Sequence, residues 1–294
     1  MKIPPTPFAR RRRVKGSDPM SVPAIEEGIH KIPDAEYFAI DLPSSSATKV
    51  LINGTNAHLA HERREPREEN DAFTLGAYVH ALLLDPDSIE TNFIRLGEIN
   101  RRTTVGKEAW ESAQRRAETS GARVITRDLV QQADAMAESV RANQSAAALL
   151  RCLTHREITI IGTIGEDRAK CKVDGIVEDG ASCVLLDIKT TESASVRDFA
   201  NSAAKFGYFH QAAFYRRLAE QHIAVVDDFV IVAVEKKAPY LCAVFRVSSM
   251  GIEIADRLID QLVSRWWDVK RGDNTGYSMQ VQDLDPPRWW SIPE

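Results

Sequence analysis

The strongest constraint on the fold is a change of hydrophobic period in the middle of the chain. Ile158, Thr159, Ile160 and Ile161, then residues 169–177 and 183–188, are short runs rich in β-branched and apolar side chains. Asp179-Gly180 supplies a turn between the last two runs, so the region reads as a hairpin-built sheet.

On either side of these runs the spacing is helical. Residues 47–61 read as a short helix after Ser44-Ser45-Ser46, and a charged loop follows over 62–71. Residues 73–84 are apolar almost all the way round, which predicts an interior helix ending at Asp85-Pro86. Residues 106–153, where Ala, Gln and Arg dominate and strand formers are scarce, predict two or three more polar helices. Helical spacing returns at 195–204 and 208–221, strands are predicted at 229–235 and 241–247, and a last helix runs from Met250 to about Lys270. A helical N-terminal half followed by a sheet with helices laid across it predicts an α/β (α+β) domain.

At 294 residues, 44% of them hydrophobic and 27% charged, the chain can bury a sizeable core. One domain is expected over 46–294. It is preceded by a flexible arm over 1–45, which carries Pro4, Pro5, Pro7, Pro19, Pro23, Pro33 and Pro43 and the basic run Arg10, Arg11, Arg12 and Arg13. A net charge of -4 excludes a protein that coats nucleic acid through its overall field, but it allows a local basic groove. Cys152, Cys171, Cys183 and Cys242 form no CxxC pair, which speaks against structural zinc and fits a reduced cytoplasmic setting. No apolar stretch follows the arginine run and none reaches membrane-spanning length, so the expectation is a soluble protein with no secretory signal and no membrane partner.

The chemistry concentrates in Lys172-Val173-Asp174 and in residues 185–191, Leu-Leu-Asp-Ile-Lys-Thr-Thr. Side chains at i and i+2 of a strand share a face, so Asp187 and Lys189 project together while Leu186 and Ile188 point the other way. Asp174 and Asp187 are an odd number of positions apart, and across a hairpin with an even-length loop that places both on one face. A two-residue loop at Gly180-Ala181, or a four-residue loop around it, sets them directly opposite each other; a two-residue loop at Asp179-Gly180 makes them diagonal neighbours. Cys171, Val173, Val177, Val184, Leu186 and Ile188 would then form the buried reverse side. Two carboxylates held together repel unless a cation sits between them, and a hard divalent ion such as magnesium meets that demand. Lys189 would either help deprotonate a water or balance charge growing on a phosphate. The plainer reading of an Asp-x-Lys triplet is an ion pair on a solvated strand face.

Other positions weigh against the plainer reading. His80 lies on the apolar helix, four residues after Gly76, where it is either a hydrogen-bonded core residue or a metal ligand anchored through its second ring nitrogen. Gln211 and Tyr215 share a helix face at i, i+4 spacing, and Glu157 begins the strand run as a further candidate carboxylate. Trp266, Trp267, Trp289 and Trp290 are candidates for an interface or, more plainly, for packing the C-terminal segment on the core.

Taken in order, Gly76-x-x-x-His80, Glu157, Asp174, Asp187-x-Lys189 and Gln211-x-x-x-Tyr215 resemble the motif set of RecB-like nucleases within the PD-(D/E)xK superfamily. Residues 75–87, 187–191 and 210–215, with Gly276-Tyr277-Ser278 and Pro287-Arg288-Trp289, narrow the likeness to RecE-type exonucleases (exonuclease VIII) of phages and prophages, over roughly residues 45–290. The resemblance implies a restriction-endonuclease-like core with a central mixed sheet flanked by helices. It implies a magnesium-dependent exodeoxyribonuclease, manganese substituting, that degrades linear double-stranded DNA 5′→3′ and leaves 3′ tails for a RecT-type annealing partner. It implies His80, Asp174, Asp187 and the Ile188 backbone carbonyl as metal ligands, and Lys189, Asp187, Asp174 and Glu157 as catalytic. Gln211, Tyr215, Thr190 and Thr191 would position substrate, and subunits would assemble as a ring. The alternatives are an endonuclease, a single-strand-specific RecB-type nuclease, and an inactive DNA-binding module of the same fold.

Overall fold

The β-branched runs pair as their alternation requires. The structure, a computed structural model, describes residues 25–65, 70–100 and 102–286. Its strands are β1 (Gly28–His30), β2 (Phe93–Leu96), β3 (Arg123–Thr126), β4 (His155–Ile164), β5 (Asp167–Asp179), β6 (Ser182–Thr191), β7 (Val225–Glu235) and β8 (Cys242–Arg246). Six of them form one sheet in the order β1-β4-β5-β6-β7-β8, antiparallel except for the parallel pair β6–β7. The helices are α1 (Asp34–Ala39), α2 (Ser45–Thr48), α3 (Asn56–Glu62), α4 (Asp71–Leu84), α5 (Ile89–Asn92), α6 (Thr104–Ser120), α7 (Arg127–Ala142), α8 (Gln144–Cys152), α9 (Val196–Phe206), α10 (Tyr208–His222) and α11 (Ser249–Lys270).

Helices cover both faces of the sheet. On one face Ile160, Cys171, Val173, Leu185 and Ile231 pack against Phe199 of α9, Phe214 and Leu218 of α10, and Ile259 and Val263 of α11. On the other, Leu186, Ile188, Val230 and Val232 pack against Leu75 and Val79 of α4 and Met136 and Val140 of α7. This is the mixed α/β sandwich the sequence predicts. The connection from β6 to its parallel neighbour β7 runs through α9 and α10, as a parallel pair requires. Trp266 is 2% exposed against Leu51 and Leu59, so it packs the last helix onto α3. Trp289 and Trp290 lie outside the described residues, as do Arg10–Arg13 and Pro287-Arg288.

Four expectations are corrected. The helix expected over 47–61 is broken: α2 passes into a 3-10 turn at Lys49–Ile52, and α3 starts afresh at Asn56. Gly54 marks the break, because a Cβ there would lie 2.4 Å from the Val50 carbonyl oxygen, and Thr55 and His58 cap the new helix reciprocally. The stretch after 106 holds three helices as expected, but Arg123–Thr126 between the first two is a strand, paired in parallel with β2. Residues 25–45 are not a free arm. β1 pairs with β4, Tyr37, Ile40 and Leu42 are buried, and Lys170 donates to the carbonyls of Tyr37 and Ile40 at 2.5 and 2.6 Å. The prolines there punctuate a segment that wraps the sheet edge and satisfies a buried ammonium, which burial pulls down to about 8. The single apolar reverse side of the hairpin is also split: Cys171 and Val173 face one core, Leu186 and Ile188 the other.

Candidate active site

The split originates at one irregular rung. Val173 and Ile176 belong to the same core although a regular strand puts residues three apart on opposite faces, so β5 loses one step of its alternation at Asp174-Gly175. On β4 the matching position is Glu157, which falls between the pairs Arg156↔Gly175 and Ile158↔Val173 and has φ +51°. That conformation costs a non-glycine residue of order 1–3 kcal/mol, so the surrounding structure must hold it. On the other side of β5 the register is the one a Gly180-Ala181 loop dictates. Asp179 pairs with Ser182 and Gly175 with Leu186, and the next rung sets Asp174 across from Asp187. There the ladder gives way to a side chain, since Asp174 Oδ2 accepts from the Ile188 N–H at 2.7 Å.

Three candidate ligands meet at this rung. His80 Nδ1, a Glu157 oxygen and an Asp174 oxygen all lie within 4.8 Å of one another. His80 reaches the rung from α4, whose Gly76, one turn earlier, lies beside Thr190; a Cβ there would meet Thr190 Oγ1 at 3.6 Å, an ordinary contact. The Ile188 carbonyl can only accept, so its 2.8 Å bond to His80 Nε2 fixes the proton on that nitrogen. Nδ1 faces Asp174 Oδ2 at 3.5 Å and Glu157 Oε1 at 4.0 Å. A backbone acceptor behind one ring nitrogen and carboxylates before the other is how a histidine ligand is oriented. The Ile188 carbonyl, expected at the metal, thus serves here as that anchor.

Asp187 lies next to this group and outside it. It is 2% exposed; its Oδ1 accepts from Lys189 Nζ at 2.8 Å and from Gln211 Nε2 at 2.5 Å. Its Oδ2 is buried, touches Lys189 at 2.6 Å and receives no directed hydrogen bond. Burial alone would lower Lys189, but the charges of Asp187 and Asp174 outweigh it and hold the ammonium above its ordinary value. Burial pushes Asp174 up to about 7, helped by Asp187 and Glu157 and opposed by His80 and Lys189. A buried carboxyl whose charged form is disfavoured, beside a histidine and two further carboxylates, fits a site for a divalent ion with oxygen and imidazole ligands.

The remaining predicted residues divide. Gln211 reaches the site, while Tyr215, four residues on, packs edge-on against Phe229, and burial raises its hydroxyl well above the ordinary value. The Thr191 hydroxyl donates to the Ser193 carbonyl at 3.1 Å and closes the loop after β6. Two neighbours carry roles that sequence reasoning did not assign. The Tyr208 ring lies 5.1 Å from Lys189 Nζ, and Lys172 Nζ lies 3.1 Å from Glu157 Oε2. Lys172 had a signal, two residues before Asp174 on the same strand; Tyr208 had none beyond its helical neighbourhood with Gln211.

Comparison with known proteins bears on the fold and the family. A crystal structure from Eubacterium rectale named "Putative exonuclease" superposes with a TM-score of 0.59 at 13% identity, covering 88% of this chain and 96% of its own, and so shares the fold. A second solved protein, SSO0001, aligns over 70% of this chain and 81% of its own at 13% identity, with a TM-score of 0.28 that carries no argument. No curated protein sequence matches the chain. Residues 44–281, which include the whole acidic rung, His80, Lys189 and Gln211, match the profile described as a PDDEXK-like domain of unknown function (DUF3799), and the chain belongs to that family.

Proposed function

We propose that the chain is a divalent-metal-dependent exodeoxyribonuclease of RecE type that shortens linear double-stranded DNA from its 5′ ends. The observation that carries this reading is the meeting of His80, Glu157 and Asp174 beside the Asp187–Lys189 pair at one rung of the sheet. His80 Nδ1 with the Glu157, Asp174 and Asp187 carboxylates would hold the ion, magnesium or manganese. When bound, it supplies Lewis-acid polarisation of the scissile phosphate.

The chain's own groups do the rest. Lys189, held protonated by its two acidic neighbours, is suited to bind a phosphate oxygen and balance the charge that develops there, not to accept a proton. Gln211 fixes one Asp187 oxygen, and Lys189 lies against the other at 2.6 Å. Asp174 releases its proton as the cation arrives, so metal uptake strengthens as pH rises through about 7. The 3′ tails left behind are the substrate of a single-strand annealing protein, and a ring of subunits around the duplex would keep the enzyme on its track.

The test is a digestion time course on linear duplex labelled at the 5′ or the 3′ end, alongside closed circular duplex, with magnesium. The expected result is early loss of the 5′ label and an intact circle. Cutting of the circle would make the protein an endonuclease, and digestion of single strands alone would make it a RecB-type enzyme. Inertness with both magnesium and manganese would leave a DNA-binding module.

A further inference from the structure

Lys172 brings a second ammonium to the site, and the reaction outlined above gives it no work. It lies on β5 two residues before Asp174, with its side chain 17% exposed. Its Nζ is 3.1 Å from Glu157 Oε2 and also donates to Asp34 Oδ1 at the start of α1. The other Asp34 oxygen lies 4.0 Å from Arg123 Nη1 on β3. One Glu157 oxygen is thereby tied to a chain of charges leading into the N-terminal wrap, while the other, Oε1, faces His80 Nδ1.

Resting on the metal-site reading, we propose that Lys172 is a positioning residue that, together with Asp34, turns Glu157 so that Oε1 is presented to the bound cation. Glu157 needs such a hold. Its backbone sits at φ +51°, and immobilising a long glutamate side chain costs rotamer entropy. Lys172 meets that cost through its own anchor, since Asp34 orients the ammonium from behind.

Charge and geometry make opposite demands here, and that makes the inference testable. A fixed positive charge beside a cation site repels a divalent ion, so by charge alone removing Lys172 tightens metal binding. By geometry, removing it frees Glu157 and weakens binding; loss of an outer partner of this kind typically costs about 10-fold or more in metal affinity. Positioning therefore shows itself by its sign.

The experiment is calorimetric titration of the full chain with Mn2+ alone, no DNA present, for the wild type and for Lys172→Met, Lys172→Arg, Asp34→Asn, Glu157→Gln and Asp174→Asn, each checked for an intact thermal transition. Lys172→Met is expected to weaken Mn2+ binding about 10-fold, Lys172→Arg to restore most of it, and Asp34→Asn to weaken it less. Glu157→Gln should weaken it at least as much as Lys172→Met, because Lys172 acts through Glu157. Unchanged or tighter binding in Lys172→Met, or a larger loss than in Glu157→Gln, overturns the inference. Wild-type binding in Asp174→Asn would instead overturn the metal site on which it rests.

Discussion

Replacing Asp174 with asparagine is predicted to stabilise the metal-free protein above neutral pH while destroying its capacity to hold a divalent ion. Burial, reinforced by Asp187 and Glu157, raises this carboxyl from its ordinary 3.8 to about 7. The native state therefore keeps a proton that the unfolded chain releases, and between those two values stability falls as pH rises; above about 7 the loss is complete. At about 1.4 kcal/mol per tenfold, that displacement amounts to as much as about 4 kcal/mol. Asparagine retains an acceptor for the Ile188 N–H, which binds Asp174 at 2.7 Å, and the rise to about 7 already includes the attraction to His80 and Lys189. The gain is then up to about 4 kcal/mol, which in a protein of this size raises Tm by up to roughly 7 °C. Thermal unfolding in chelator, followed by circular dichroism, should show this rise near pH ~8 and only about a third of it near pH ~5, because the unfolded chain starts to release this proton above 3.8. A variant that melts below the wild type near pH ~8, or is offset equally at both pH values, would refute the reasoning.

Two further substitutions follow from the same geometry. Lys189→Met leaves Asp187 buried without its cation and should cost about 3 kcal/mol or more in urea unfolding, most of it recovered in the double variant with Asp187→Asn, while neither protein digests DNA. Gln211→Leu removes the 2.5 Å bond to Asp187 and should slow digestion about 10- to 100-fold with Tm nearly unchanged; an equal loss of stability would make Gln211 merely a packing residue.

That Asp174 and Asp187 share a strand-pair neighbourhood was legible because parity across an even-length loop decides it; that the loop is Gly180-Ala181, which sets them directly opposite, was one of the registers the sequence left open. The interior character of α4, and with it the reach of His80, followed from a run that is apolar on nearly every side. The irregular rung was not legible. A glutamate at positive φ has no local signature, and the lost alternation emerges only when both cores are filled, which is why Glu157 stands with His80 and Asp174 while Asp187 stands with Lys189. Nor could the wrap of residues 25–45 be read, since β1 is three residues long and its partners on β4 lie more than a hundred positions away. Short segments stabilised only by distant partners leave almost no periodic trace.

The central claim is that the acidic rung holds a divalent ion without which the chain cleaves no DNA. Release of acid-soluble nucleotides from linear duplex, measured with magnesium, with chelator, and with magnesium for Asp174→Asn, tests it most directly. Release by the wild type in magnesium alone is the predicted result; equal release in chelator, or by Asp174→Asn, would contradict it.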